Sequence, residues 1–196
     1  MRRLAKPEVR TVRQGSPRPS PESNVQSLES RPARPVVVVS KCLLGERCRY
    51  DGKSISAPAV LSLSRIVSFV PVCPETGIGL PVPRDPIGLV KTDRGIRLVQ
   101  ARTGHDLTVK MRSFCRRFLT GLKVDGFILK ARSPSCAVRD AAVDEDGGEL
   151  MEETRPGLFA DAVLDRFPML PVEDEERLEE PSVMFRFVGR LLDVRA

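Results

Sequence analysis

Two textures of hydrophobic patterning divide the chain. Residues 1–34 are rich in Arg, Pro, Ser and Glu and carry few large apolar side chains. Such a stretch buries too little surface to offset the entropy of ordering, and it reads as a disordered tail. At Pro35 the pattern changes abruptly. Val36-Val37-Val38-Val39 is apolar on both faces, as a buried central strand requires. It runs into Ser40-Lys41-Cys42 and then a polar, glycine-containing loop over 45–52. Residues 58–64 fit a short helix. Ile66-Val67-Ser68-Phe69-Val70 reads as a second strand, ending at Pro71-Val72-Cys73-Pro74-Glu75. Gly and Pro recur too densely across 76–88 for regular structure. Leu89-Val90 and Ile96-Arg97-Leu98-Val99, either side of Thr92-Asp93-Arg94-Gly95, predict a hairpin.

Further along, Leu107, Met111, Phe114, Cys115, Phe118, Leu119 and Leu122 recur at helical spacing. They predict a helix over 107–122 with Asp106 as its N-cap. A third strand, 126–129, leads into Lys130-Ala131-Arg132-Ser133-Pro134-Ser135-Cys136. Residues 144–156 read as an acidic, exposed loop. A helix over 157–167, a short strand over 169–172, a solvated acidic stretch over 173–180 and a helix over 182–193 complete the chain. Strands alternating with helices imply parallel pairing. The expected fold is α/β, a mostly parallel sheet with helices on both faces in a Rossmann-like three-layer arrangement. A single domain over 35–196 follows a basic tail over 1–34.

Charge narrows the function classes. The net +6 is concentrated in residues 1–35, which hold eight Lys/Arg against three Asp/Glu. The remaining 161 residues are left at +1, which gives a folded basic groove for RNA little support. No apolar run approaches the roughly 20 residues of a membrane span, and no apolar signal segment opens the chain. The protein therefore reads as soluble, cytoplasmic and without a membrane partner.

Five cysteines, at 42, 48, 73, 115 and 136, form no CxxC pair. An odd count in a cytosolic chain argues for buried thiols or metal ligands, not a disulfide framework. Cys42, Cys73 and Cys136 each follow the C-terminal end of a predicted strand by a few residues. In an open parallel sheet those ends share one edge, where ligands bind. Cys115 lies on the apolar stripe of its helix and reads as core. Cys48, between Arg47 and Arg49, is an alternative to Cys42 as a ligand, with packing inside its loop the preferred reading. Three thiolates suit a zinc ion with a fourth ligand or water, or a [4Fe–4S] cluster with one open iron. His105, the sole histidine, reads as a surface turn residue. Gly77-Ile78-Gly79 lacks the rest of a dinucleotide fingerprint, and no phosphate-binding loop appears.

Three ordered segments resemble the signatures of the thiouracil desulfidase (TudS) family. They are Ser40-Lys41-Cys42-Leu43-Leu44-Gly45 with Arg49-Tyr50-Asp51-Gly52; Pro71-Val72-Cys73-Pro74-Glu75 with Gly79 to Arg84; and Leu129-Lys130 with Ser133-Pro134-Ser135-Cys136. Gly104, Asp106 and Thr108 fit the same pattern. The chain departs from it at Ala137, where the family usually has glycine. The resemblance implies a [4Fe–4S] cluster on Cys42, Cys73 and Cys136 whose fourth iron takes the substrate's sulfur. It implies Glu75 as acid/base, Ser133 as the active-site serine, and Ser40, Arg49 and Lys130 as substrate-binding residues. The implied activity is non-redox removal of sulfur from a thiolated pyrimidine, releasing sulfide. Simpler roles exist for two of these residues: Glu75 as partner of Arg84 or Arg49, and Ser133 as a turn hydroxyl. Residues 157–178 resemble a subgroup often fused to a further domain and linked to tRNA thiouridine. The chain ends at Ala196 without that domain, so base, nucleotide and RNA remain alternative substrates. The rivals are a non-catalytic zinc- or cluster-binding module and a sulfur carrier.

Overall fold

The valine run becomes β1 (Val36–Ser40), with every residue after Val36 buried. Parallel neighbours flank it on both sides: β2 (Ser68–Val72) and β5 (Gly126–Leu129). β5 also pairs in parallel with β8 (Val172–Asp174), which closes a four-stranded sheet of order β2-β1-β5-β8. The computed structural model describes residues 34–145 and 150–194, with backbone alone for 150–153. All but the last residue of the expected tail lies outside them.

Alternation along the strands sends side chains to two layers. Val37, Val39 and Ile128 pack in one core with Val60 and Leu63. Val60 lies on α1 (Pro58–Ser62), Leu63 in the 3-10 turn that follows it. The same core takes Val183, Phe187 and Leu191 of α5 (Pro181–Asp193). Val38, Phe127 and Leu129 enter the other core with Met111, Cys115 and Leu119 of α3 (Thr108–Leu119) and Phe159 and Val163 of α4 (Leu158–Arg166). Helices thus cover both faces of a parallel sheet, the three-layer arrangement that the alternating pattern predicts.

Element bounds move where local hydrogen bonds compete with the pattern. The second strand begins at Ser68, not Ile66, because the amides of Ile66 and Val67 both close a turn on the Leu63 carbonyl. The last strand begins at Val172, not Met169, because Leu170 N–H closes a turn on Phe167. Helix α3 begins at Thr108, whose N–H donates to Asp106 Oδ1 at 2.8 Å and whose hydroxyl accepts the Leu98 N–H.

The segment expected as an acidic loop is a correction. It contains parts of β6 (Ala141–Glu145) and all of β7 (Leu150–Arg155). These join β3 (Ile87–Thr92) and β4 (Gly95–Gln100) in a second sheet of order β4-β3-β6-β7. Only β3 and β6 run parallel there, and Leu89, Leu98, Ala141 and Val143 face the α3–α4 core. Among the described residues, no helix is long and apolar enough to cross a membrane.

Candidate active site

The parallel strands β1, β2 and β5 end at one edge, and the chain turns sharply at each end. A 3-10 turn (Lys41–Leu44) follows β1, carrying Cys42, and Gly45 closes it at φ 83°. A single helical turn, α2 (Pro74–Gly77), follows β2, with Cys73 just before it and Glu75 in its first turn. After β5 the chain passes Arg132, a non-glycine residue at φ 57°, and reaches Cys136. Ala137 is not in the left-handed region, so the methyl group there costs the backbone nothing.

These turns enclose a cavity of about 320 Å³. Cys42, Cys48, Cys73 and Cys136 line it together with Glu75 and Ser133. The parallel topology therefore brings together the three cysteines picked from strand ends. It also adds Cys48, which packs in the core at its loop yet faces the same cavity. Cys48 is in hydrogen-bonding contact with Cys42 and Cys73, and its thiol is pushed up to about 11, first by the Cys42 contact. Cys73 donates to the Cys48 carbonyl at 3.8 Å. The hydrogen bond to Cys48 and then burial raise its pKa strongly. Burial raises Cys136, and hydrogen bonds from Ser40 and Ser133 pull it the other way. Among the described residues no three His, Cys, Asp or Glu groups converge to hold a single metal ion. The thiols ring a space instead of meeting at a point.

Glu75 is held from both sides. Arg84 donates to Oε2 from Nε at 2.9 Å and Nη2 at 2.6 Å, and Ser135 Oγ donates to Oε1 at 2.8 Å. Arg84 is thus its partner and Arg49 is not. Ser133 Oγ accepts the N–H groups of Ser135 and Cys136, so it is the hydroxyl of a turn. Its own O–H is left for Cys136 or for a molecule in the cavity. Ser40 is buried, and its hydroxyl accepts the Lys130 N–H at 3.0 Å, which ties the end of β1 to the end of β5. Arg49 pairs with Asp51 at 3.3 Å and lies over the Tyr50 ring at 5.6 Å. Lys130 Nζ is bound by Glu175 and the Ala131 carbonyl. His105 is exposed and is not part of the cavity wall, and Cys115 is in the α3–α4 core.

The acidic stretch over 173–180 is a second correction, because two of its members support the site. Glu175 Oε2 accepts the Ala131 N–H at 2.9 Å while Oε1 takes Lys130. Asp174 accepts Arg139 Nη1 at 2.8 Å and the Arg177 N–H at 2.9 Å, and its burial raises its pKa. A carboxylate buried against sequence-distant cations looks, along the chain, like any solvated acid. Ser135 was also passed over as a functional residue. Its place inside the third signature was the one signal available.

Comparison with known proteins follows the same residues. A family model described as 2-thiouracil desulfurase matches residues 37–175. The uncharacterized protein YbbK of Bacillus subtilis (strain 168) is 31% identical over 109 residues, covering 52% of this chain and 72% of that protein. A solved structure described as the [4Fe-4S]-dependent thiouracil desulfidase TudS aligns with a TM-score of 0.56 at 25% identity. The alignment covers 78% of this chain and 99% of that one.

Proposed function

The chain belongs to the 2-thiouracil desulfurase family, and from that membership we propose that it hydrolyses the C=S bond of a thiolated pyrimidine at an iron–sulfur cluster. The observation that carries the reading is one cavity lined by four thiols and a carboxylate at the ends of three parallel strands. Cys42, Cys73 and Cys136 are the residues we assign to a [4Fe–4S] cluster. The donor set fits, since soft thiolates arranged around a space suit a polynuclear cluster. An iron without a protein ligand would supply a thiophilic Lewis acid in this cavity.

The chain's own groups account for the proton movements. Replacing C=S by C=O takes in one water and releases hydrogen sulfide, so a base must accept a proton from that water and return it. Glu75 reaches the cavity and has a carboxylate oxygen available for both steps. Ser133 lines the cavity, and its O–H would donate toward the reacting carbon's substituents or the water. Ser40, Arg49 and Lys130 line the same cavity as substrate-binding candidates, and Ser40 and Lys130 are also tied to the frame at the ends of β1 and β5.

Anaerobic reconstitution with iron and sulfide, followed by sulfide release from 2-thiouracil, 4-thiouracil and thiouridine nucleotides, tests the proposal. Brown protein that releases sulfide from at least one of them is expected. Cys42→Ser, Cys73→Ser and Cys136→Ser should lose the cluster, and Cys115→Ser should keep it. Cys48→Ser in the same series shows whether the fourth thiol also belongs to the ligand set. Colourless protein retaining about one zinc per chain would exclude the cluster and favour a zinc module.

A further inference from the structure

The two oxygens of Glu75 are not equivalent. Oε2 takes both of its hydrogen bonds from the Arg84 guanidinium, a group that stays charged at any working pH. A proton on Oε2 would have to displace that fork. Oε1 takes its one hydrogen bond from Ser135, a hydroxyl, which donates to a carboxylate and accepts from a carboxylic acid with equal ease. Oε1 is therefore the oxygen held by a single neutral donor.

Neither partner is a mobile surface group. The Arg84 side chain is 3% exposed, and its remaining N–H groups go to the Cys48 and Pro81 carbonyls at 3.0 and 3.2 Å. Its backbone N–H donates to the Tyr50 carbonyl at 2.8 Å. Ser135 is fully buried behind Glu75, outside the cavity wall. The Ser135 carbonyl accepts the N–H groups of Phe159 and Ala160 at the start of α4, which fix the serine from behind.

We propose that Arg84 and Ser135 are positioning residues for Glu75, with Arg84 locking Oε2 and Ser135 holding Oε1, so that the carboxylate keeps one orientation at the cavity wall. The inference rests on the acid/base role given to Glu75 above. It extends that role by naming the two side chains that hold the carboxylate in place. It also gives the two serines of the third signature, two positions apart, different tasks. Ser133 shapes the turn and faces the cavity, and Ser135 serves the carboxylate.

The test uses the reconstituted full chain with Ser135→Ala and Arg84→Lys. Ser135→Ala removes one buried hydroxyl without adding bulk, so folding and cluster content serve as controls. Its kcat for sulfide release should fall about tenfold or more, within the range of general acid–base effects. KM should stay within about twofold, the pattern of an interaction made in the transition state. Arg84→Lys keeps the charge but loses the fork, and it should show the same changes in smaller degree. A second readout needs no turnover: the infrared carboxylate band of Glu75, assigned by its loss in Glu75→Gln, should shift in both variants. An unshifted band in Ser135→Ala, or an unchanged kcat, overturns the inference. If the wild type releases sulfide from no thiolated pyrimidine, the desulfuration reading fails. The infrared band still decides whether these two residues hold Glu75.

Discussion

Gly157 sits where the loop carrying Cys136 meets the start of α4, and its missing side chain is a matter of space. A Cβ there would lie 2.5 Å from the Ser135 carbonyl carbon, 2.6 Å from its oxygen and 2.8 Å from the Pro134 oxygen. All three are backbone atoms that the hydrogen bonds of Gly157, Leu158 and Phe159 hold in place. Gly157→Ala must therefore push the 133–136 turn away from α4. Overpacking of this kind costs about 1–3 kcal/mol. The displaced turn carries Cys136 and Ser135, so cluster content should fall along with the thermal midpoint. Iron content and calorimetry on the same sample check this, and a variant with normal iron content and midpoint would show that the contact is soft. The chain also shows at this scale which site residues can be read from sequence. Cys42, Cys73 and Cys136 are legible because each follows a recognisable strand. Arg84 is legible only as one of two candidate partners of Glu75, and Glu175 is not legible, because its partner lies forty-five residues away in the chain.

Helix α3 is the most legible element, and Cys115 shows what its stripe does. The thiol lies in the α3–α4 core, near the Leu158 carbonyl at 3.9 Å, and burial pushes it from 9.0 up to about 11. In the unfolded chain the same thiol ionises near its ordinary value. Between about pH 9 and 11 the unfolded state thus releases a proton that the folded state retains. Stability falls with rising pH across that window, by up to about 2–3 kcal/mol for this one group. Below pH 9 the group contributes no pH dependence. Cys115→Ala should be less stable than wild type at neutral pH and should lose this alkaline share. The gap between the two proteins should close as pH rises. Urea unfolding of reduced, cluster-free protein measures it, and a constant gap from pH 8 to 11 would contradict the assignment. Elements with half-exposed faces were harder to read than α3. The strands β6 and β7 were missed because acidic residues outnumber apolar ones across 144–156, even though Gly147-Gly148 between two runs is a hairpin signal. β7 is an edge strand, which tolerates such charges, and β6 is placed by its pairing with β3 on one side and β7 on the other.

Across the whole molecule, the proposed ligands tie together elements that are far apart in sequence. Cys42 follows β1, Cys73 follows β2 and Cys136 follows β5, so a bound cluster would cross-link three strands of one sheet. Each core holds a dozen or more buried residues from strands and helices besides the site's own thiols. The neighbouring thiols are also tolerated without metal, because hydrogen bonding and burial raise Cys48 and Cys73, and burial raises Cys136, so all three stay protonated at neutral pH. Removal of the cluster should therefore not unfold the protein, unlike the collapse of a small domain that depends on its metal. It should lower stability by the binding free energy that the folded state alone enjoys. A cost of about 3 kcal/mol corresponds to roughly 6–12 °C in a chain of this size. Calorimetry under strict anaerobic conditions should show one cooperative transition in both forms, with the chelator-treated protein melting lower. Cys136→Ser should show no such gap, because it cannot complete the cluster. Equal midpoints for loaded and stripped wild type would mean that the thiols do not bridge the strands. Loss of any cooperative transition on stripping would mean instead that the cores depend on the site.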